Sequence, residues 1–219
     1  MTPPDHPAIP PAGTPCGETT SRFAVLRHAE TVWNSEKRIQ GQQDSPLTPR
    51  GHLQADRWGA ALAALRWDRI LASDAGRSLA TVDRLNAHLH LPVHLDPRLR
   101  ELDWGQWTAK TIAQLRTEAG ALVAAQERAG WDFQPPGGES RRRQLERCRE
   151  ALITAAAAWP GETILVVAHG GIIRSLVHAL SGQPIAWTAG TGRQPYRLHW
   201  VAVTAGRLAL EGADALDQV

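Results

Sequence analysis

Cysteine is nearly absent from this chain of 219 residues, with only Cys16 and Cys148 present. Two thiols cannot make a disulfide framework, so a reducing, cytoplasmic setting is expected. Lysine is as scarce: Lys37 and Lys110 stand alone, and 22 of the 24 cations are arginine. Arginine grips phosphate and carboxylate through paired hydrogen bonds, yet a base-composition bias accounts for most of the 22. The 22 acidic residues nearly cancel the 24 cations, leaving a net charge of +2 and no demand for nucleic acid. Long apolar runs are missing as well. The most apolar stretch, around residues 164–167, falls far short of the roughly 20 residues that span a bilayer, and no apolar signal segment follows Met1. A membrane protein and a disulfide scaffold are therefore excluded as readings. With 42% hydrophobic and 21% charged residues, an extended disordered chain is excluded too.

What remains is an alternation of strands and helices. Residues 1 to about 20 carry Pro3, Pro4, Pro7, Pro10, Pro11 and Pro15, and read as a flexible tail. Residues 21–219 then read as one domain. Short apolar runs at Phe23–Leu26, Arg69–Ala72, Pro92–Leu95 and Thr163–Ala168 predict strands. Thr48 followed by Pro49 predicts a helix start, and Leu53, Trp58, Leu62 and Leu65 continue it at near-helical spacing. Further helical stripes run through Leu79–Leu89, Ile112–Val123, Leu145–Ala156 and Gly171–Leu180. Residues 198–203 and 208–210, joined at Ala205-Gly206, predict a terminal hairpin whose edge strand could serve a homodimer. The expected fold is α/β: a three-layer sandwich with a mainly parallel central sheet.

Two segments share a design. Val25-Leu26-Arg27-His28 puts Arg and His just past a strand end. Val166-Val167-Ala168-His169-Gly170-Gly171 does the same directly before a helix. Ligands in such sheets bind at the carboxyl ends of strands, where a helix N-terminus favours an anion. A third strand end brings Arg77, and the segment after the next brings Glu101. Two arginines, two histidines and one carboxyl group suffice for phosphoryl transfer without a metal. The arginines bind the phosphoryl oxygens, an imidazole attacks phosphorus, and the carboxyl group moves the leaving-group proton. On residue chemistry alone, His28 and His169 are equal candidates for the nucleophile.

Arg27-His28-Ala29-Glu30-Thr31, with Asn34 after it, resembles the signature of the histidine phosphatase (phosphoglycerate mutase-like) superfamily. Further blocks resemble it in order: Arg38-Ile39-Gln40-Gly41, Asp44-Ser45-Pro46-Leu47-Thr48 with Gly51 and Gln54-Ala55, Ser73 with Arg77, Leu99-Arg100-Glu101, Gly137-Gly138-Glu139-Ser140, and Ala168-His169-Gly170-Gly171. The resemblance implies that His28 becomes phosphohistidine, and that Arg27, Arg77 and His169 form the phosphate pocket. It implies that Asn34 helps hold the phosphoryl group, that Glu101 donates the proton, and that Gln40, Gly41 and Gly170 line the substrate side. It implies a phosphomonoester hydrolase with no metal or other cofactor, acting on a small phosphorylated metabolite, with a cap at about residues 104–140. The alternative is a 2,3-bisphosphoglycerate-dependent phosphoglycerate mutase. Only 67 positions, residues 102–168, separate Glu101 from His169. That short segment and the Gly137-Gly138-Glu139-Ser140 block resemble the phosphatase branch.

The chain departs from the family pattern at Ala29, where glycine is usual and a positive φ would strain alanine. It departs again at Ala80 and at Thr108-Ala109. Other features have plainer readings. His88, His90 and His94 cluster as zinc ligands do, but alternating leucines make them a helix end running into a strand. Arg141-Arg142-Arg143 could serve an anionic substrate, but reads as a solvated first turn. Trp33, Trp104 and Trp107 read as walls of the pocket; Trp58, Trp67, Trp159 and Trp200 read as core. A non-catalytic binder would be signalled by loss of His28 or Glu101, and both are present. An interaction protein built around the tail is the other reading, and unchanged turnover on deleting residues 1–20 would dispose of a catalytic role for the tail.

Overall fold

The computed structural model describes residues 19–185 and 196–216. Residues 1–18, with Cys16 and the proline-rich tail, and Trp187 lie outside the described residues. The chain runs β1 (Thr20–Arg27), α1 (Val32–Ser35), α2 (Pro49–Leu62), β2 (Arg69–Ala72), α3 (Gly76–Leu89), β3 (Val93–Leu95), α4 (Ile112–Arg128), α5 (Arg141–Ala158), β4 (Thr163–Ala168), α6 (Gly170–Leu180), β5 (Arg197–Thr204) and β6 (Arg207–Ala215).

The six strands form one sheet in the order β3-β2-β4-β1-β5-β6. Neighbours from β3 to β1 are parallel; β1–β5 and β5–β6 are antiparallel. β4 is buried on both faces, as its unbroken apolar run requires. Side chains alternate about the sheet plane. Phe23, Val25, Ile164 and Val166 pack with Cys148, Leu152 and Ala155 of α5 and Ile172 of α6. Ala24, Leu26, Ile70 and Leu165 pack on the other face with Ala55, Trp58 and Leu62 of α2 and Val82 and Leu85 of α3.

The helix starts have local causes. Thr48 Oγ1 accepts the Gly51 N–H at 2.9 Å, with Pro49 behind it, as the Thr-Pro pair predicts. Ser140 caps α5 by accepting from the Arg143 N–H. α3 has no cap from its own Ala75; the Asp44 carboxylate accepts from the Gly76 and Arg77 N–H groups instead, at 2.7 and 3.2 Å.

Residues 102–133 build a small separate core of Leu102, Trp107, Leu115, Val123 and Phe133, with Trp104 packed against it. Trp104 and Trp107 are thus also core residues of this segment. They stack edge-on against Phe133, at 5.3 and 6.0 Å between centroids. α4 bends at Ala119 (φ −146°), beside Gly120. Thr204 and Arg207 pair across Ala205 (φ 48°) and Gly206 (φ 75°), the two-residue turn that matches strand twist.

Candidate active site

The strand order creates the site. β4 enters late in the chain, yet lies between β1 and β2, so their carboxyl ends meet. Arg27 stands opposite Ala168 in register, and the His28 N–H donates to Ala168 O at 2.9 Å. The Ser73 N–H donates to Val167 O at 3.0 Å. His28, His169 and Ser73 are thus aligned along one sheet edge, at a topological switch point.

His28 is 3% exposed. Its Nδ1–H donates to Ala29 O at 2.8 Å, which fixes the tautomer and leaves Nε2 with its lone pair. The Arg77 Nε–H donates to that Nε2 at 3.3 Å. Burial, followed by the charges of Arg27 and Arg77, holds the imidazole well below its ordinary 6.5. His169 is fully buried, with its ring centroid 5.3 Å from that of His28. Its Nε2 pairs with Ser73 Oγ at 2.9 Å, and its Nδ1 is buried without a partner among the described residues. Burial, then Arg77, holds its titration well below 6.5 as well.

Arg77 is 2% exposed and heavily anchored. Its Nη1 donates to the Asp44 carboxylate and to Gln43 O, and Nη2 donates to Gly41 O, each at 2.7 Å. Arg27 differs. It has no carboxylate partner among the described residues, and its Nε is buried and unpartnered. A Cβ placed on Gly170 would lie 3.5 Å from that Nε, so the N-terminus of α6 passes close over Arg27. The orphaned buried Arg27 Nε–H and His169 Nδ1, a donor when Ser73 Oγ–H donates to Nε2, lie beside a helix N-terminus and suit a phosphoryl oxygen.

Glu101 reaches the same edge from the loop after β3. Its Oε1 accepts from the Leu102 N–H (2.7 Å) and Gln144 Nε2 (2.8 Å); its Oε2 accepts from the Gly171 N–H (2.9 Å). Ser175 Oγ–H in turn donates to Gln144 Oε1 at 3.0 Å. The Gly137–Ser140 block supports this loop. Glu139 pairs with Arg147, whose guanidinium also donates to the carbonyls of Arg98, Arg100 and Glu101. A Cβ on Gly138 would fall 2.4 Å from Asp103 O, so only glycine permits that approach.

The structure brings Arg27, His28, Arg77, Glu101, His169 and Gly170 together. Asn34 is committed in part: its Oδ1 accepts the Thr31 N–H, closing a capping box on α1. Gln40 Nε2 donates to Thr31 Oγ1, and its Oε1 is buried without a partner among the described residues. Gly41, at φ 57°, supplies the carbonyl that holds Arg77.

Two expectations are corrected. Ala29 has no positive φ and no strain; it is fully buried, and its N–H donates to Thr81 Oγ1 at 3.0 Å. The left-handed alanine is Ala109, at φ 68°, held where the Ala109 N–H donates to Ile39 O. Arg141 is not part of a solvated turn. Arg142 and Arg143 are exposed, but Arg141 is 6% exposed and lies over the Phe133 ring at 4.7 Å. The histidine cluster lies as its leucine pattern predicts, His88 in the last turn of α3, His90 at its C-cap and His94 in β3, where His94 pairs with Arg69 at 3.0 Å.

Asp44 and Ser73 stood in the resembling blocks with no task assigned, and Thr81, Gln144 and Ser175 were not singled out, yet all five hold the site. A polar Gln144 on the buried stripe that continues through Cys148, Ala151 and Leu152 is the signal that could have found it.

The geometry agrees with comparison to known proteins. A family model for the histidine phosphatase superfamily (branch 1) matches residues 23–213. A Salmonella choleraesuis protein named "Probable phosphoglycerate mutase GpmB" is 34% identical over 209 residues, covering 89% of this chain and 97% of its own. The structure of Bacillus stearothermophilus YhfR is similar with a TM-score of 0.77 and 30% identity, covering 88% of this chain and 96% of its own. A mycobacterial glucosyl-3-phosphoglycerate phosphatase, solved in complex with VO3, has a TM-score of 0.75 and 31% identity, covering 89% and 99%. This chain belongs to the histidine phosphatase superfamily, branch 1.

Proposed function

We propose that the protein is a metal-independent phosphomonoester hydrolase acting on a small phosphorylated metabolite through phosphohistidine at His28. The carrying observation is the His28 ring: buried, neutral, tied down at Nδ1, and with an Nε2 lone pair that faces the Arg77 guanidinium and attacks once a phosphoryl oxygen takes over that Arg77 donor. Arg27, Arg77 and His169 Nδ1 offer donors to the phosphoryl oxygens. The His28 Nε2 lone pair forms the N–P bond as the P–O ester bond breaks, and Glu101 in its acid form gives its proton to the leaving oxygen. Glu101, now a carboxylate, then takes a proton from water as the water oxygen attacks phosphorus. The N–P bond breaks, and phosphate leaves.

A mutase reading is favoured by the name of the Salmonella relative. Against it, two of the three cations in the 104–140 segment are already paired, Lys110 with Glu118 and Arg116 with Glu127. The test is phosphate release from a panel of phosphomonoesters in EDTA. Release that vanishes in His28→Ala is expected. Dependence on a divalent cation, or robust turnover by His28→Ala, would refute the mechanism. Formation of 2-phosphoglycerate from 3-phosphoglycerate with added 2,3-bisphosphoglycerate, without phosphate release, would establish the mutase.

A further inference from the structure

Among the described residues, every arginine shielded from solvent pairs with a carboxylate, except three. Arg69, Arg77, Arg98 and Arg147 pair with Glu162, Asp44, Asp96 and Glu139. Arg27, Arg141 and Arg174 are withheld from solvent without such a partner among those residues. Arg27 belongs to the phosphoryl pocket. The other two are surplus to it.

Arg141 and Arg174 flank Glu101 from two helices. Arg141 opens α5, three residues before the Gln144 that grips Glu101 Oε1. Residues three apart share a helix face. Arg174 stands three residues after Gly171, whose N–H holds Glu101 Oε2, so it too projects from the Glu101 side of its helix. Arg141 spends one donor, Nη1, on Gly130 O at 2.5 Å, and rests its plane on Phe133. Arg174 has no hydrogen bond to any described residue. Both guanidiniums feel the Glu101 charge and each other's neighbours, yet neither reaches salt-bridge distance of a described carboxylate. Burial and the charge of Arg174 push Arg141 down to about 10, and burial lowers Arg174 as well. Two cations left under-paired in a half-dry place are a cost that a bound anion relieves.

Their position says which part of a ligand they would meet. Given the hydrolase reading, on which this inference rests, Glu101 protonates the leaving oxygen. Groups clustered around Glu101 therefore face the alcohol rather than the phosphoryl group. We propose that Arg141 and Arg174 form a second anion subsite, and that the natural substrate is a phosphomonoester whose alcohol carries another anionic group, a carboxylate or a second phosphate. Guanidiniums bind both through charge-assisted paired hydrogen bonds.

Two substrate pairs distinguish the sources. 3-Phosphoglycerate and glycerol 3-phosphate differ by a carboxylate against a neutral CH2OH. Fructose 1,6-bisphosphate and fructose 6-phosphate differ by a second phosphate. The wild-type protein should favour the charged member of one pair by about tenfold or more in kcat/KM, and that pair names the second anion. The preference should fall at least fivefold in Arg141→Gln and in Arg174→Gln, and persist in Arg143→Gln, which alters an exposed arginine of the same run. No preference in either pair, or one unmoved in both variants, overturns the subsite. If Arg141→Gln does not fold, Arg174→Gln decides alone. If no ester is hydrolysed, p-nitrophenyl phosphate included, the hydrolase reading fails instead. The subsite is then judged by calorimetric binding of the same pairs, with the same preference expected and its absence decisive.

Discussion

A buried imidazole refuses protons that a solvated one accepts, and this protein buries two at its centre. His28 and His169 are both held well below 6.5, in each case first by burial. In the unfolded chain both return to about 6.5. As pH falls through that value the unfolded chain binds protons that the fold does not, so the stability present above about pH 6.5 is lost on acidification. Half-buried His199, lowered chiefly by burial, adds to the effect. Thermal unfolding followed from pH 8 to pH 5 should show Tm falling below about pH 6.5. The fall should be shallower when His28 and His169 are both replaced by Asn. A Tm that stays level down to pH 5 in the wild-type protein contradicts the burial argument.

The N-terminal turn of α6 joins the two halves of the candidate site, because Gly170 passes over Arg27 while Gly171 holds Glu101. A Cβ on Gly171 would lie 2.2 Å from Glu101 Oε1, so Gly171→Ala must displace the carboxylate. The variant should lose ten- to a hundredfold in kcat on alkyl phosphates, whose leaving oxygen needs a proton. It should lose much less on p-nitrophenyl phosphate, whose leaving group needs none. An equal loss on both would show that the turn supports phosphoryl binding rather than the acid. The elements themselves were largely legible in the sequence. β2 and β4 occupy the residues their apolar runs mark, and α2 begins at its Thr-Pro signal. The core site residues were legible as well, because strand ends followed by Arg-His and His-Gly-Gly leave little choice of geometry. What the sequence hid depends on distant packing. Nothing local tells that Asp44 caps a helix more than thirty residues on, or that Phe133 receives Arg141 out of a run of three arginines.

At the scale of the whole molecule, α5 seals one face of the sheet, and Cys148 lies inside that seam at 1% exposure. Burial pushes its thiol up to about 12, so neither reach nor ionisation favours its reaction. In a Cys16→Ser variant, labelling of Cys148 by a thiol reagent should therefore follow global unfolding, speeding up in step with loss of the circular dichroism signal in denaturant. Fast labelling under native conditions would mean that α5 opens on its own. The same seam depends on the central strand, and that strand comes late. During synthesis, β1 and β2 emerge long before β4 fills the gap between them, and His28 waits for a His169 made 141 residues afterwards. A ribosome that stalls before residue 163 holds a chain in which His28 is made but neither His169 nor the Gly171 N–H that anchors Glu101 exists. On the proposed reading, phosphoryl chemistry therefore starts only once synthesis has passed Gly171, which ties the first turnover to the last strand inserted into the parallel half of the sheet.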